Sequence, residues 1–373
     1  MKVWSVEPRD TAIFRDARPF EAGSAATSLP FPWPSTVAGF TRSRLGMSDA
    51  GKFEWTPDQA RSKRVMGPWL LELDPHSGKI IDHLFPAPRD AVFFRPEDAK
   101  LGSPTVHRRG LAPRITRDDE WTDLPEDVQL VDFLERPDKN PGKPFRGPAF
   151  WSGEAMKTWL EAGRDGRGFS SVDYTTLGLM SLPRERRIHV KMNAESQTAD
   201  DGFLFQTEQL RFLTSSGDTT RRFAIALGTD DDCDDRRMTR GADSFGGERR
   251  MAFVQAANQP PLEVPDIGDA DIIRVVLLTP AIFEHGWMPA PENLGDSVEV
   301  IAASVDRYQP VSGWSFEHRG PKPTRRMAPA GSVYWLRIPQ GAHEWARKHH
   351  FTSISDDEQD RLDGFGLIAV GRA

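Results

Sequence analysis

The sequence predicts an α+β protein that folds as two domains. Its 373 residues are more than one hydrophobic core usually organises, so two domains are expected. The 30 prolines and 31 glycines favour loops and strands over long helices. Both halves of the chain mix strand-like and helix-like patterns, which is typical of a fold with sheets and helices together.

The first elements are a strand, an extended loop and a helix. Residues 2–8 (KVWSVEP) alternate in polarity and predict a strand. Three closely spaced prolines extend the chain that follows. Ser35 or Thr36 is then expected to cap a helix that runs through Leu45 and ends at Gly46.

The remaining elements are predicted from short apolar runs. Strands are expected over 68–74, 82–94, 202–212, 222–228, 250–257, 272–283, 332–339 and 364–371, and helices over 153–163 and 343–350. The strands 202–212 and 222–228 are expected to pair. Residues 95–150 are rich in loops and are predicted to be an insertion. The first domain is expected to span 1–230 and the second 236–373.

Composition excludes several classes of protein. The net charge of −7 does not indicate nucleic-acid binding, so any such site must be a local basic patch. Cys233 is the only cysteine, which excludes an internal disulfide and a cysteine-rich metal site. The apolar run 272–283 is shorter than the roughly 20 residues of a membrane span. With no signal peptide evident, a cytoplasmic location is expected.

No familiar catalytic or cofactor motif stands out. The sequence has no nucleophile elbow, phosphate-binding loop or zinc-protease motif, so neither a cofactor nor a metal is expected. The acidic run 230–235 (DDDCDD) has two interpretations, a cation site or a solvated loop, and the loop is favoured. We place the domain boundary there.

The candidate binding residues are basic or glycine-rich. In residues 14–20 (FRDARPF), Arg15 and Arg18 lie three apart around Asp16. If the chain turns here, both guanidinium groups can reach one phosphate run. The alternative is that Asp16 holds one arginine in a structural turn.

The helix that opens at Ser35 and Thr36 presents free backbone N–H groups, which favour an anion. An ordinary capped helix is the alternative. Arg42 and Arg44 lie near the other end of that helix, where they favour the helix dipole.

Further basic loops lie in the second half. Residues 246–250 (GGERR) place two glycines before Arg249 and Arg250. Residues 317–332 carry four cations: Arg319, Lys322, Arg325 and Arg326. Trp314 and Phe316 precede that loop, where they can stack on bases or belong to the core. A mobile, solvated loop is the alternative.

The last strand carries Gly364 and Gly366, which allow a nucleic-acid backbone to approach closely. A final strand packed tightly against its neighbour is the alternative. The predicted RNA-binding set is therefore Arg15, Arg18, Ser35, Thr36, Arg42, Arg249, Arg250, Arg319, Lys322, Arg325, Arg326, Gly364 and Gly366.

Several blocks occur in a family-specific order: EPRDTAIFRDARPF, LPFPWPSTVAGFTRSRLG, FGGERR, LLTPAIFEHGWMP, SGWSFEHRGPKPTRRMAPAGSVYW and GFGLIAVG. They cover about a third of the chain and span both ends. The chain resembles the third subunit of the type III-B CRISPR Cmr complex, a family of the RAMP superfamily.

The resemblance implies two tandem ferredoxin-like (RRM-like) domains with loop insertions and a glycine-rich C-terminal strand. It also implies a non-catalytic subunit of an antiviral ribonucleoprotein. Such a subunit holds the 5′ repeat-derived tag of CRISPR RNA and docks the large polymerase-like subunit and the first backbone subunit. On this pattern Arg15 and Arg18 grip the tag RNA. The family usually has glycine where this chain has Ala17, and an alanine at positive φ costs about 1 kcal/mol.

Two other functions are open. Some RAMP relatives cut CRISPR RNA with a histidine as general acid or base. His189, with Arg187 and Lys191 nearby, is the candidate here, against a structural or interface histidine. The third possibility is a protein-only adaptor that uses the apolar strands and eleven tryptophans for partners.

Overall fold

The structure is a computed structural model of the 373-residue chain. It describes residues 1–15, 25–100, 102–117, 120–137, 141–216, 218–257, 261–268, 270–295, 297–315 and 319–373. Side chains are described within these ranges except at residues 25–26, 200–204, 216 and 314–315.

The helices of the described residues are short. They are α1 (Pro34–Gly46), α2 (Pro57–Ser62), α3 (Gly153–Glu161), α4 (Asp235–Thr239), α5 (Pro291–Leu294), α6 (Ala342–His349) and α7 (Glu358–Asp363). Single 3-10 turns cover Arg164–Arg167, Tyr174–Thr176 and Gly247–Arg249. Across the described ranges, no helix is long and apolar enough to cross a membrane.

The strands of the first half are β1 (Lys2–Pro8), β2 (Ala25–Thr27), β3 (Val65–Leu73), β4 (Ile80–Pro86), β5 (Ala91–Phe94), β6 (Thr105–Arg114), β7 (Leu130–Phe133), β8 (Pro144–Phe145), β9 (Phe150–Ser152), β10 (Ser170–Asp173), β11 (Gly178–Leu179) and β12 (Arg184–Met192). Those of the second half are β13 (Ala199–Leu210), β14 (Leu213–Ser216), β15 (Thr219–Thr229), β16 (Asp243–Ser244), β17 (Met251–Ala256), β18 (Ile272–Leu277), β19 (Glu299–Ser304), β20 (Gln309–Val311), β21 (Trp314–Ser315), β22 (Gly320–Pro321), β23 (Arg325–Met327), β24 (Val333–Arg337) and β25 (Ile368–Arg372). This mixture confirms the predicted α+β class.

The contacts between Cα atoms divide the chain into two compact units. Unit 1 comprises Met1–Ile81, Ser181–Asn258 and Pro310–Arg325, and unit 2 comprises Asp82–Met180, Gln259–Gln309 and Arg326–Ala373. Each unit is therefore assembled from three separate segments. The predicted boundary at 230–235 lies inside unit 1, and the division into 1–230 and 236–373 stays a prediction.

Unit 1 is built on an antiparallel sheet in the order β3-β15-β1-β17-β16. Its central strand β15 is flanked on both edges and carries the buried apolar run from Phe223 to Leu227, as expected of a strand covered on both faces. Helix α1 follows β1 and packs on β3, whereas α4 follows β15 and packs on β17. The chain order is thus β1-α1-β3-β15-α4-β17.

Helix α1 begins two or three residues earlier than predicted. Trp33 is its N-cap, Pro34 is its first residue, and no side chain caps it. The ring of proline fixes φ near the helical value, which favours this position. Ser35 and Thr36 lie inside the first turn, so the prediction that one of them caps the helix is wrong.

A second sheet of unit 1 has the order β12-β13-β2. The predicted pairing of strands 202–212 and 222–228 is wrong, because β13 pairs with β12 and β2 instead. The adjacent partner of β15 is the short β14, in register from Leu213 opposite Arg222 to Ser216 opposite Thr219. The first residues of β15 therefore lie opposite β14 rather than opposite β13.

Unit 2 is built on the antiparallel sheet β19-β24-β18-β25. The chain order here is β18-α5-β19-β24-α6-α7-β25. The two sheets have the same strand order when their four strands are numbered along the chain. In both, strand 1 lies between strands 3 and 4, and strand 2 lies on the outer side of strand 3. The core of unit 2 includes Val275, Tyr334, Leu336, Trp345 and Val370.

Residues 95–150 of unit 2 are more regular than predicted. Here β6 and β8 join a sheet in the order β10-β6-β5-β8, and β7 also pairs with β6. Only Val106, Gly110 and Ala112 of β6 are buried, and its arginines are half-buried, with Arg108 lying over the ring of Trp159. The arginines hide the strand pattern in the sequence, so the prediction of a mainly loop-like insertion is wrong over this strand.

Candidate nucleic-acid interface

The segment after β1 and the loop before β17 are joined through their backbones. The N–H of Gly247 donates to the carbonyl of Ile13 at 2.7 Å. The N–H of Phe14 donates to Ser28 Oγ at 3.0 Å, and its carbonyl accepts from the N–H of Leu29 at 2.7 Å. We call Ile13–Arg15 together with Gly246–Arg250 the turn surface.

Gly246 is required at this junction for two reasons. Its φ of 80° lies in the left-handed region, and a Cβ on it would stand 2.7 Å from the Ile13 carbonyl oxygen. The neighbouring Phe245 ring packs edge-on against Phe14, with 5.3 Å between the centroids. The glycine therefore lets the loop lie directly against the segment that carries Arg15.

The turn surface presents its cations on unusual backbone. Glu248 and Arg249 both have left-handed φ, 58° and 51°, which costs roughly 1–2 kcal/mol for each residue with a Cβ. The side chain of Arg249 is exposed and has no ion pair or hydrogen bond to any residue that the structure describes. Arg15 is also exposed, next to its bridge with Ser28.

Arg250 supports the loop from below. Its Nη2 donates to Gln209 Oε1 at 3.1 Å and to Glu248 Oε2 at 3.3 Å, and its Nη1 lies 3.6 Å from Asp10 Oδ2. The structure therefore brings Arg15, Arg249 and Arg250 together, with Arg250 held by acids. Arg18 lies outside the described residues.

The start and end of α1 contribute differently. Ser35 and Thr36 are half-buried in a first turn without acidic residues, and the Thr36 N–H bonds to the Trp33 carbonyl at 3.0 Å. Arg42 donates from Nε and Nη2 to the Lys63 carbonyl at 3.0 and 2.9 Å. Because this carbonyl takes two of its donors, Arg42 fastens α1 to the chain after α2, and the contact does not support an RNA-binding role.

Arg44 is fully buried under α4. Its Nε donates to the Met238 carbonyl at 3.1 Å, and its ring neighbour is Phe40, 5.6 Å away. Burial lowers the pKa of its guanidinium, although Asp243 nearby opposes that shift. Arg44 is therefore a residue of the unit 1 core.

Every residue of the segment 319–326 except Gly320 is exposed. Arg319 has a left-handed φ of 48°, and the Lys322 N–H donates to the Gly313 carbonyl at 2.7 Å. Arg319, Lys322 and Arg325 belong to unit 1, whereas Arg326 belongs to unit 2. The side chain of Trp314, and Phe316 altogether, lie outside what the structure describes.

The two C-terminal glycines are buried inside unit 2. Gly364, with φ of 92°, ends α7, and Gly366, with φ of 79°, would place a Cβ 2.7 Å from the Ser355 backbone nitrogen. The N–H of Gly366 donates to the Pro280 carbonyl at 2.8 Å. Protein occupies the space above both glycines, which supports tight packing rather than close approach of RNA. Both glycines precede the last strand, β25, which begins at Ile368, so the prediction that this strand carries them is wrong.

The acidic run is paired with cations of unit 1. Asp231 lies 2.7 Å from the amino group of Met1, Asp235 lies 2.7 Å from Lys2, and Asp232 lies 3.2 Å from Lys63. Asp234 caps α4. Over the described parts of the chain, no three His, Cys, Asp or Glu side chains are placed to hold a metal ion. Burial raises the pKa of the Cys233 thiol.

A buried carboxylate organises the arginines of unit 2. Asp90 accepts from Arg167 Nη1 at 3.1 Å, from Arg274 Nη1, and from Trp159 Nε1 at 2.8 Å. Asp90 and both arginines are completely buried. Burial, and then the charge of Arg274, lower the pKa of Arg167 to about 9. We call these four residues the Asp90 cluster, and no local sequence pattern indicates it.

Comparison with known proteins now decides the family. The family model described as CRISPR-associated protein (Cas_Cmr3) matches residues 4–373. This chain belongs to the Cas_Cmr3 family. The family predicted from the sequence blocks is thereby confirmed. A search of curated proteins found no match.

Two solved structures share the fold of this Cas_Cmr3 chain. One is a chain of the type III-B Cmr-beta complex bound to cognate target RNA, with 14% identity, a TM-score of 0.51, and coverage of 99% of this chain and 96% of that one. The other is from Cmr-beta bound to cognate target RNA and AMPPnP, with 14% identity, a TM-score of 0.50, and coverage of 89% and 86%.

His189 of this Cas_Cmr3 chain sits on the β12–β13 hairpin. Its Nε2 lies 2.9 Å from Thr207 Oγ1, and its ring stacks on Phe205 with centroids 5.0 Å apart. These contacts are those of a packed histidine in a sheet.

One basic feature escaped sequence reasoning. His107 and Arg109 on β6 contact the ring of Phe169, with centroid distances of 4.9 and 4.7 Å, and that ring is 44% exposed. The signal was the triplet His107–Arg109 inside the stretch assigned to loops.

Proposed function

We propose that this Cas_Cmr3 chain is a non-catalytic, RNA-binding subunit of a type III-B CRISPR effector ribonucleoprotein. In this role it holds the 5′ repeat-derived tag of CRISPR RNA. It also docks the large polymerase-like subunit and the first backbone subunit. The observation that carries the proposal is the turn surface, on a chain of a CRISPR-associated family.

The turn surface suits a phosphate backbone. Two exposed guanidinium groups, Arg15 and Arg249, project from segments that the Gly247–Ile13 hydrogen bond holds together. Arginine binds phosphate oxygens through a planar fork of donors. Because Arg250 and its acids brace the loop, these donors are placed before RNA arrives.

The strain at Glu248 and Arg249 supports a functional role for this loop. Left-handed non-glycine residues persist where the surrounding structure holds them and are concentrated at ligand-binding sites.

The strand orders support tandem ferredoxin-like domains. Both units connect their strands and helices as βαββαβ, and both place the first strand between the third and fourth. We assign one ferredoxin-like domain to each unit, with β12–β13 and the β5–β8 region as additions.

The family and the solved relatives support these partners. Both matching chains come from type III-B Cmr-beta complexes bound to target RNA. The contacts of His189 with Thr207 and Phe205 are consistent with a chain that does not cleave RNA.

The binding test uses the full chain and RNA that carries the 5′ tag. We expect the double variant Arg15→Glu/Arg249→Glu to bind at least about tenfold more weakly by fluorescence anisotropy. Its salt slope should fall by about 0.7 for each phosphate that the variant no longer neutralises. The double variant Arg347→Glu/Lys348→Glu in α6, with the same total change of charge at two exposed sites, is the control for net charge. Equal affinity of the double variant and the wild type would refute the proposed site.

The catalytic test uses labelled repeat RNA. We expect no site-specific product from the wild-type chain. A product that disappears in His189→Ala would show that the chain is an endoribonuclease. Co-purification of the variants with the large and backbone subunits checks docking separately, and we expect the double variant to retain both partners.

A further inference from the structure

Unit 2 contains an open cleft of about 490 Å³ that the proposed function does not use. Its floor is apolar and includes Val128, Met327 and Ala328, all buried. The half-buried indole of Trp287 and the small side chain of Ala303 form part of its walls. Its volume lies in the usual range of small-ligand pockets.

The walls of this cleft are fixed by hydrogen bonds. The Gln129 N–H donates to the Ile301 carbonyl at 2.7 Å, which holds the segment before β7 against β19. Ala328 and Ala281 exchange backbone hydrogen bonds of 2.8 and 2.9 Å. The Tyr334 hydroxyl donates to the Trp287 carbonyl at 2.6 Å. The cleft is thus preformed.

The mouth combines an exposed aromatic ring with a cation. The Arg326 guanidinium lies over the Tyr308 ring, 4.8 Å from its centroid, and that ring is still 58% exposed. Arg326 has no ion-pair partner in the residues that the structure describes. The one acid in the lining, Asp306, is occupied on both oxygens, by the Arg307 N–H at 2.8 Å and by Arg89 at 3.2 Å.

We propose that this cleft accepts one splayed nucleotide of single-stranded RNA. Its base enters between Tyr308 and the apolar wall at Trp287, and its phosphate lies at Arg326. The proposal rests on the proposed function, because it gives that RNA a second contact. It goes beyond that function by assigning a base-binding pocket to unit 2.

The rim favours a nucleotide over an apolar side chain of a protein partner. Arg326 is the one cation among the lining residues, and the one carboxylate, Asp306, is already paired with Arg89, so the charge of Arg326 stays available to a phosphate. Stacking on an aromatic ring beside an arginine is the common mode of binding single-stranded bases. The carboxylates of Glu126 and Asp127 lie outside the lining.

The test is photocrosslinking of the full chain with a short single-stranded RNA that contains thiouridine. We expect adducts at Tyr308 or Trp287, located by mass spectrometry. Tyr308→Ala should weaken binding about tenfold, as loss of one base stack does. Ala303→Phe fills the cleft without changing charge and should abolish the adduct. Arg307→Ala, beside the cleft but outside its lining, is the matched control for Arg326→Ala.

The outcomes separate the two proposals. One outcome would refute the cleft alone. In it, RNA binding requires Arg15 and Arg249, no adduct forms at the cleft, and Ala303→Phe binds RNA with wild-type affinity. If Ala303→Phe instead loses a protein subunit in co-purification at unchanged RNA affinity, the cleft docks protein and the proposal is also wrong. No RNA binding by the wild-type chain would refute the proposed function together with the cleft. Ala303→Phe is interpreted only with an unchanged unfolding transition, and the exposed Tyr308→Ala provides the same test independently.

Discussion

Each unit has a glycine loop just before the last strand of its βαββαβ order, but the two loops have different surroundings. In unit 1 the loop before β17 donates from Gly247 to Ile13, after the first strand. In unit 2 the loop before β25 donates from Gly366 to Pro280, again after the first strand. The unit 1 loop ends in the exposed Arg249, whereas the unit 2 loop is buried.

The difference shows that a glycine loop alone does not identify a binding site. The same backbone contact closes the sheet in both units. In unit 1 the exposed Arg15 and Arg249 flank this contact, and Glu248 and Arg249 beside it have left-handed φ. The arginines of unit 2 that are most deeply buried, Arg167 and Arg274, neutralise Asp90 instead.

The largest effect is expected from Asp90→Ala in unit 2. The substitution leaves two buried guanidinium groups without their carboxylate, which should cost about 3–5 kcal/mol of unfolding free energy. Denaturant unfolding measures the loss. Asp306→Ala, which removes an exposed ion pair, should cost less than about 1 kcal/mol. Similar costs for both variants would mean that the Asp90 cluster is not a determinant of stability.

Gly366→Ala should have the next largest effect. The new Cβ would need left-handed φ and would stand 2.7 Å from Ser355 in a buried site, so a loss of about 3 kcal/mol is expected. RNA affinity of the folded fraction should stay unchanged, measured by anisotropy after removal of unfolded protein. Weaker RNA binding at full stability would instead place RNA at the unit 2 loop.

Gly246→Ala tests the unit 1 loop in the same way. Positive φ and the contact with the Ile13 carbonyl together should cost about 2 kcal/mol, and the displaced turn should also weaken RNA binding. Gly51→Ala is the matched control, because its φ is 75° but no atom lies within 4 Å of the new Cβ. It should cost about 1 kcal/mol and leave RNA affinity intact. Equal RNA affinity of the two variants would contradict the role of the turn surface.

Arg249→Gly should have the smallest effect on stability, in the opposite direction. Glycine removes the left-handed strain from the folded state, and this stabilisation is larger than the one that its extra entropy gives the unfolded chain. We therefore expect the free energy of unfolding to rise by up to about 1 kcal/mol. Arg249→Ala keeps the strain and should show no gain. Both variants should lose RNA affinity equally, and a loss confined to one of them would point to backbone shape rather than charge.

The regular elements were largely predictable from the sequence, but their partners were not. The apolar patterns located β1, α1, α3 and α6 to within a few residues. Strand pairing depends on contacts distant in the chain, such as β1 with β15, which local patterns do not encode. Strand β6 was missed because the run His107–Arg109 places polar side chains on both faces and so breaks the alternation of polarity.

The sequence predicted which types of residue form the candidate site, but it did not predict which of those residues are exposed for binding. The glycines and arginines of residues 246–250 pointed to a loop that the structure places against the segment of Arg15. Arg42 and Gly364 have the same residue types, yet one binds a protein carbonyl and the other ends a buried helix. Burial separates these cases, and it follows from tertiary contacts alone.

The interleaving of the units has a consequence for biosynthesis. Strand β1 lies between β15 and β17, but β15 begins only at Thr219, after a whole unit 2 segment has been made. At the usual rate of translation, about 10 to 40 seconds pass between the synthesis of β1 and the synthesis of β15. During this interval the backbone N–H and C=O groups of β1 lack their partners and its apolar side chains stay uncovered. Newly made chains of this protein should therefore depend on chaperones that shield unpaired strands until β15 emerges.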